Sequence, residues 1–348
     1  MKRIYQSEKK LISGLGCLLL LMGLSAFLSG CGGSRNSTNG TATSGLPVPN
    51  DSNNVAQPVG EVGNLSVLNW AGFQGAVSYT FDDGNTSQIE NYATINALGV
   101  RFTFYLVTGW ENASNSIWAQ AVDDGHELGN HTKSHSSTAT SDADIDDATS
   151  FIKEKFGVNP YTFAAPYGDN SYISYAESRF LLSRGVSRGS IPANDISQQF
   201  NLRLYIPAEG ALASAMTSVV TTARDAGKWQ IVCIHGFTGD SSAYQPIDLD
   251  EFTSHVNAVK ALGDVWMDSA VNIGAYWRAQ KLFADLTPTT SGTDLVYTWT
   301  LPQNFPSGKY LRVTVTGGTL KQNSQTLAWD SHGYYEVALD AGSLTISK

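Results

Sequence analysis

The sequence predicts an α/β protein with a small antiparallel β unit at its C-terminal end. Two patterns carry that expectation. From about residue 62 to 286, β-branched runs alternate with amphipathic segments of helical length, as parallel strands joined by crossover helices do. After Pro288 the texture changes to short alternating segments separated by Pro, Gly, Ser and Asp, the pattern of hairpin-connected strands.

In the first region AVSYTF (76–81) reads as a strand and TSQIENYATINALG as a helix; RFTFYLV (101–107) then reads as a strand and SNSIWAQAVDDG as a helix. Further on, SYISYAESRFLLSRG (171–185) and ALASAMTSVVTTARDAG read as helices ahead of the strand WQIVCIHG (229–236). Chemistry in such folds collects at the carboxyl ends of the strands, and Asp82, Asp83 and His235 all stand at such ends. In the last region Leu295, Tyr297, Trp299 and Leu301 share one strand face, and Leu311, Val313 and Val315 another. About sixty residues make a marginal free-standing core, so this unit is expected to pack on the main domain. Its aromatic residues read better as core than as a sugar platform.

The 348 residues carry a formal charge of -9, which gives no basic surface for nucleic acid. Lys2, Arg3, Lys9 and Lys10 against Glu8 make the start positive, and an apolar stretch then runs to Leu28-Ser29-Gly30-Cys31. This resembles a bacterial lipoprotein signal, which implies cleavage before Cys31 and a lipid on it; an uncut membrane helix or an ordinary secretory signal are the competing readings. Gly32 rather than Asp after that cysteine implies an outer-membrane lipoprotein, periplasmic or surface-facing. Residues 31–59 are poor in large apolar side chains and read as the lipidated cysteine and a flexible linker. The expected organisation is thus a signal over 1–30, a tether over 31–59, a main domain over 60–286 and the β unit over 287–348. Of three cysteines only Cys233 remains in the folded part, so no internal disulfide is expected, and nothing argues against a monomer.

Four stretches carry possible chemistry. VSYTFDDGNTSQ ends a strand in the adjacent carboxylates Asp82 and Asp83; taken alone, Asp-Gly is a turn signal. GHELGNHTKSHSS places His131 and His135 four apart, a spacing that on a helical turn puts both imidazoles on one face, suited to chelating one ion but also common by chance on surface helices. His126 nearby reads as a structural or hydrogen-bonding residue. TFAAPYGDNS carries Pro166-Tyr167-Gly168 after a short strand, and can leave backbone N–H groups facing a mouth. WQIVCIHGF puts Ile231, Cys233 and His235 on one strand face; a histidine ending a buried strand is costly unless paired or used, with a satisfied core histidine as the alternative.

TFDDG, HTKSH, FAAPYG and IVCIH in that order resemble the NodB-homology polysaccharide deacetylases, carbohydrate esterase family four, over roughly residues 75 to 237. The resemblance implies an irregular (β/α)7-type barrel. It also implies roles: Asp82 as catalytic base, Asp83, His131 and His135 as metal ligands, His235 as general acid, and the Tyr167 N–H as an oxyanion donor. A divalent metal is implied, Zn first, with Co, Ni or Mn able to fit the same ligands. Pro166, Cys233 and Trp110 are the expected substrate contacts, Cys233 standing where the family has a leucine that lines the acetyl pocket, and Trp110 placed to stack on a sugar or to pack the rim.

Two departures are visible. The family's third motif carries an arginine where this chain has Ala164, and Arg188 is the candidate to replace its charge. The fourth motif, which supports the acid histidine, is unrecognisable, with Asp195 a weak stand-in. The expected activity is removal of acetyl groups from a polysaccharide or oligosaccharide, with N-acetyl amino-sugar polymers first and acetylxylan second. The alternative is a disabled, surface-tethered glycan-binding protein on the same scaffold.

Overall fold

Strand-forming runs fix the frame, and the computed structural model describes residues 44–49 and 54–348 of it. The expected signal over 1–30 and the lipidation site Cys31 lie outside the described residues. The first ten strands are β1 (Leu65–Val67), β2 (Gly75–Asp83), β3 (Thr103–Leu106), β4 (Glu127–Asn130), β5 (Thr162–Ala164), β6 (Leu182–Arg188), β7 (Ile191–Pro192), β8 (Leu202–Leu204), β9 (Lys228–Ile234) and β10 (Val265–Met267).

The long strand β2 is the hub. All nine of its residues are buried, as parallel strands covered on both faces require. It pairs in parallel with β9 along Ala76–Phe81, with β3 along Thr80–Asp83 and with β10 along Gly75–Val77. The order continues β3–β4–β5–β6–β8, and the ring closes where the Tyr205 N–H donates to Ile231 O and the Cys233 N–H to Tyr205 O, each at 2.9 Å. Seven strands, β2, β3, β4, β5, β6, β8 and β9, therefore form an irregular (β/α)7 barrel of the expected kind. Tyr79 and Phe81 point outward into a core shared with the helices Ala213–Asp225 and Leu249–Leu262, through Met216, Val220, Phe252 and Val256. Ser78, Thr80 and Asp82 alternate with them and face inward.

The segment 171–185, expected as one helix, is a short helix at Ile173–Glu177 followed by the start of β6. Phe180, Leu181 and Leu182 are buried, which suits a barrel strand covered on both sides as well as it suits a helix.

Helix Ala270–Ala284 closes the amino end of the barrel. Its Ala270 and Val271 N–H groups donate to Thr103 Oγ1 and Glu127 Oε2, at the starts of β3 and β4. Ten of its fifteen residues are buried, because barrel lies on one side and β sheets on the other. Gly274 is what lets it approach: a Cβ there would stand 2.2 Å from Leu182 Cδ2.

The C-terminal unit is two small antiparallel sheets. One joins β1 to Tyr310–Val315, Tyr334–Ala338 and Trp329–Asp330; the other orders Thr289–Ser291, Asp294–Thr298, Ser343–Ser347, Thr319–Gln322 and Gln325–Thr326. The boundary expected at 286/287 is thus crossed by β1, which hydrogen-bonds to the second region. Tyr297, Trp299, Leu311, Val313 and Val315 join one core with Trp229, Tyr276 and Trp277, and the rings of Phe283 and Trp299 lie 4.7 Å apart.

Residues 44–49 and 54–58, expected as part of the linker, are docked on this unit. Arg312, 1% exposed, needs acceptors, and it takes Pro47 O at 2.7 Å, Leu46 O at 3.3 Å, Ala71 O at 2.9 Å and Glu336 Oε1. The Asn54 and Val55 N–H groups donate to Ser331 O. Among the described residues no helix is long and apolar enough to cross a membrane.

Candidate active site

Consecutive side chains on a strand point to opposite faces, so Asp82 and Asp83 should diverge. They do not, because Asp83 takes a left-handed backbone, φ 76°, as the strand gives way to Gly84. Both carboxylates turn into the mouth: Asp82 Oδ2 lies 3.7 Å and Asp83 Oδ1 3.5 Å from His131 Nε2.

His131 and His135 come together by a loop, not by the helical turn the spacing suggested. After β4 the chain makes two left-handed steps, Thr132 at φ 63° and His135 at φ 53°. Asn130 Oδ1 accepts from the Thr132 N–H and Thr132 Oγ1 from the His135 N–H, holding the loop closed. His131 Nδ1–H donates to Ala164 O at 2.7 Å, which leaves the Nε2 lone pair facing the carboxylates. His135 Nε2 stands 3.6 Å from the same Asp83 oxygen.

This trio fits a cation. Asp83 Oδ1 is buried and has no hydrogen-bond partner. Its gaps of 3.5 and 3.6 Å to the two Nε2 atoms are too long for good hydrogen bonds. They match the separation of about 3.4 Å between ligands that each sit about 2.0–2.2 Å from one ion in tetrahedral array. Charge points the same way, because among the described residues one guanidinium pairs with Asp82 and none with Asp83.

That guanidinium belongs to Arg184. It is 1% exposed, bonds through Nη2 to Asp82 Oδ1 and stacks 4.8 Å over the Tyr105 ring. Arg184 on β6 is the direct register partner of Ala164 on β5, so the charge missing at Ala164 is supplied one strand over. Arg188, the residue the sequence suggested, does not reach: it is exposed and lies over the Tyr205 ring at 5.2 Å. Burial alone would raise the Asp82 pKa, but Arg184, then His131 and His235, outweigh it and hold the carboxyl well below the usual range. Burial alone would raise Asp83 as well, but its position beside His131 outweighs it and holds the carboxyl below its usual value. Burial, then His131, pushes His135 down to about 4.

Cys233 is fully buried beneath this pair rather than lining the open mouth. Burial, then the charge of Asp82, drives its pKa well up, so it stays a thiol against that carboxylate. Asp82, Cys233 and His235 also bring three donor atoms within 4.8 Å of one another. There the Arg184 guanidinium already supplies the positive charge on Asp82.

His235, just past β9, puts Nε2 3.8 Å from Asp82 Oδ2. Burial lowers its pKa against the pull of Asp82 and Asp83. Its Nδ1 is buried and unpartnered, and Asp195 gives no support: it is exposed, accepting from the Ser197 N–H. Around the mouth stand three exposed aromatic rings. Trp110 lies 5.4 Å and Tyr167 4.8 Å from the His135 ring, and Tyr244, not singled out from the sequence, 5.3 Å from the His235 ring. Tyr167 has a left-handed backbone, φ 55°, following the buried Pro166.

Residues 73–181 match the family model described as polysaccharide deacetylase. Over that stretch the chain is similar to polysaccharide deacetylases. The matched stretch contains Asp82, Asp83, His131, His135 and Tyr167 and stops one residue before β6, so Arg184 and His235 lie beyond it. No curated protein matches the chain. Among solved structures it is similar, at 18% identity over 69% of its length and 98% of the other's, to one from Mycobacterium smegmatis assigned as a polysaccharide deacetylase (TM-score 0.48). A family 4 carbohydrate esterase from Streptomyces lividans in complex with acetate is 20% identical over 58% and 95% of the two chains (TM-score 0.41). A family 4 acetyl xylan esterase from Clostridium thermocellum in complex with a cobalt ion is 19% identical over 57% and 89% (TM-score 0.39).

The sequence reading missed Arg184. Its signal was present: an arginine two residues after the apolar run Phe180-Leu181-Leu182 must find an anion if that run is buried. Reading the run as the tail of a helix hid it.

Proposed function

We propose that the chain is a metal-dependent hydrolase that removes acetyl groups from a polysaccharide or oligosaccharide. The observation that carries this reading is the orphaned Asp83 oxygen facing His131 and His135 beside the Asp82–Arg184 pair. Asp83, His131 and His135 would hold the ion, Zn being first choice for two imidazoles and a carboxylate. When bound, it would supply Lewis-acid polarisation of a water and of the acetyl carbonyl.

The chain's own residues do the rest. Asp82, kept ionised by Arg184, takes the proton of the attacking water on Oδ2, since Oδ1 is occupied by the guanidinium. His235 gives a proton to the departing nitrogen or oxygen, and a positioned acid of this kind contributes about 10²–10⁴ in rate. The Tyr167 N–H offers a hydrogen bond to the carbonyl oxygen as it gains charge. Trp110, Tyr167 and Tyr244 give apolar faces for sugar rings, and the buried Cys233 and Pro166 shape the floor beneath them.

N-acetyl amino-sugar polymers are the first substrate choice and acetylxylan the second. The disabled-scaffold reading rested partly on Ala164, and Arg184 removes that support. Acetate release from both polymers, with and without chelator, tests the proposal. Chelator-sensitive release is expected; tight glycan binding with no release would overturn it.

The chain is further proposed to be a monomer held at the outer membrane through lipid on Cys31. Cys31→Ser is expected to move it to the soluble fraction, and unchanged membrane retention would contradict the anchor.

A further inference from the structure

On the flank of the barrel, away from the Asp82 pair, two cavities of about 260 and 270 Å³ meet at Ser190. The register of β6 shifts between Arg184 and Arg188, and the last three residues of the strand are exposed, Arg188 among them. Arg188 lines the first cavity, and Arg203 and Lys228 line the second. In a chain with 31 acidic residues against 22 basic ones this is a local reversal of sign. Asp195 is the one carboxylate lining either cavity, and it is occupied by the Ser197 N–H. Among the described residues none of the three cations makes an ion pair.

Two of these cations are held in place. The Arg188 guanidinium lies 5.2 Å over the Tyr205 ring. Arg203 folds across Gly189 so closely that a Cβ there would meet its Cδ at 2.7 Å. Pre-set guanidinium forks suit carboxylates, because little rotamer freedom is left to lose on binding. Between them the walls offer Ser190, Gln198 and Thr222, partners for hydroxyl groups.

We propose that this groove binds an acidic saccharide, its carboxylates on Arg188 and Arg203 and its hydroxyls on the polar walls between. A concave channel with both polar and apolar walls fits a sugar chain better than a lipid surface, which is flat and rewards inserted apolar groups.

Oligogalacturonate serves as the probe, titrated calorimetrically into the mature chain. Binding is expected, weakening about tenfold as salt rises from low to about physiological strength and beyond, since exposed ion pairs are screened. Arg188→Ser with Arg203→Ser should reduce affinity about tenfold or more, while Lys153→Ser with Lys155→Ser, on the exposed face of helix Asp142–Phe156, should not change it. Both double variants should keep the wild-type unfolding midpoint, and Asp82→Asn should bind as wild type. Equal affinity in the Arg188/Arg203 variant, equal losses in the two double variants, or no binding of oligogalacturonate would each overturn the proposal. Uptake of phosphatidylglycerol vesicles without oligogalacturonate binding would overturn it in favour of a membrane surface.

Discussion

The two ends of the barrel are built on opposite principles. At the carboxyl end, Asp82, Asp83 and Arg184 bury charge, and Asp83, Thr132, His135 and Tyr167 all take left-handed backbones that side chains disfavour. At the amino end, helix Ala270–Ala284 fills the opening with Ala270, Ile273, Tyr276 and Trp277 and joins it to the C-terminal sheets through one continuous core. The first end spends stability on geometry and the second supplies it. Damage at the mouth should therefore cost activity out of proportion to stability, and damage at the plug the reverse.

The largest effect is expected from Asp82→Asn: turnover should fall about 10²–10⁴-fold with the fold intact. A variant that retains wild-type acetate release would show that Asp82 is not the base. Arg184→Met breaks the contrast deliberately, because it leaves Asp82 buried without its partner. Denaturant unfolding should show a loss of about 3–5 kcal/mol together with lost activity; a neutral result would mean that Asp82 finds another counter-charge. At the other end, Gly274→Ala forces a methyl against Leu182 and should cost about 1–3 kcal/mol, while activity per folded molecule stays unchanged.

The smallest effect sharpens the comparison through pH. His126 accepts from the Phe102 N–H at 3.0 Å, and His255 sits between Tyr79 and Thr217 in the outer core. Burial pushes each down to about 4, so the unfolded chain binds the extra protons below about 6.5 and the folded chain does not. Stability should be fully present above that value and decline as pH falls towards 4. Melts at pH 7 and pH 5 with equal midpoints would contradict this.

The same contrast explains what could be read from sequence. Alternating β-branched and helical runs announce the barrel, and the residue types of the mouth, Asp82, Asp83, His131, His135 and His235, stand out because each is expensive where it sits. Their geometry was hidden, since nothing local distinguishes HTKSH on a helical turn from HTKSH on a loop with two positive φ angles. Arg184 was hidden by register: its partnership with Ala164 exists only once β5 and β6 are side by side. The docking of residues 44–49 depends likewise on Arg312, more than 260 residues away, whose buried guanidinium recruits carbonyls that composition alone marks as a tether.

The central claim is that Asp83, His131 and His135 take one divalent ion while Asp82 does not. Elemental analysis of purified, folded protein tests it most directly. About one ion per chain is expected in the wild type and in Asp82→Asn, and none in His131→Ala. A metal-free wild type, or an Asp82→Asn variant that had lost its ion, would contradict the account.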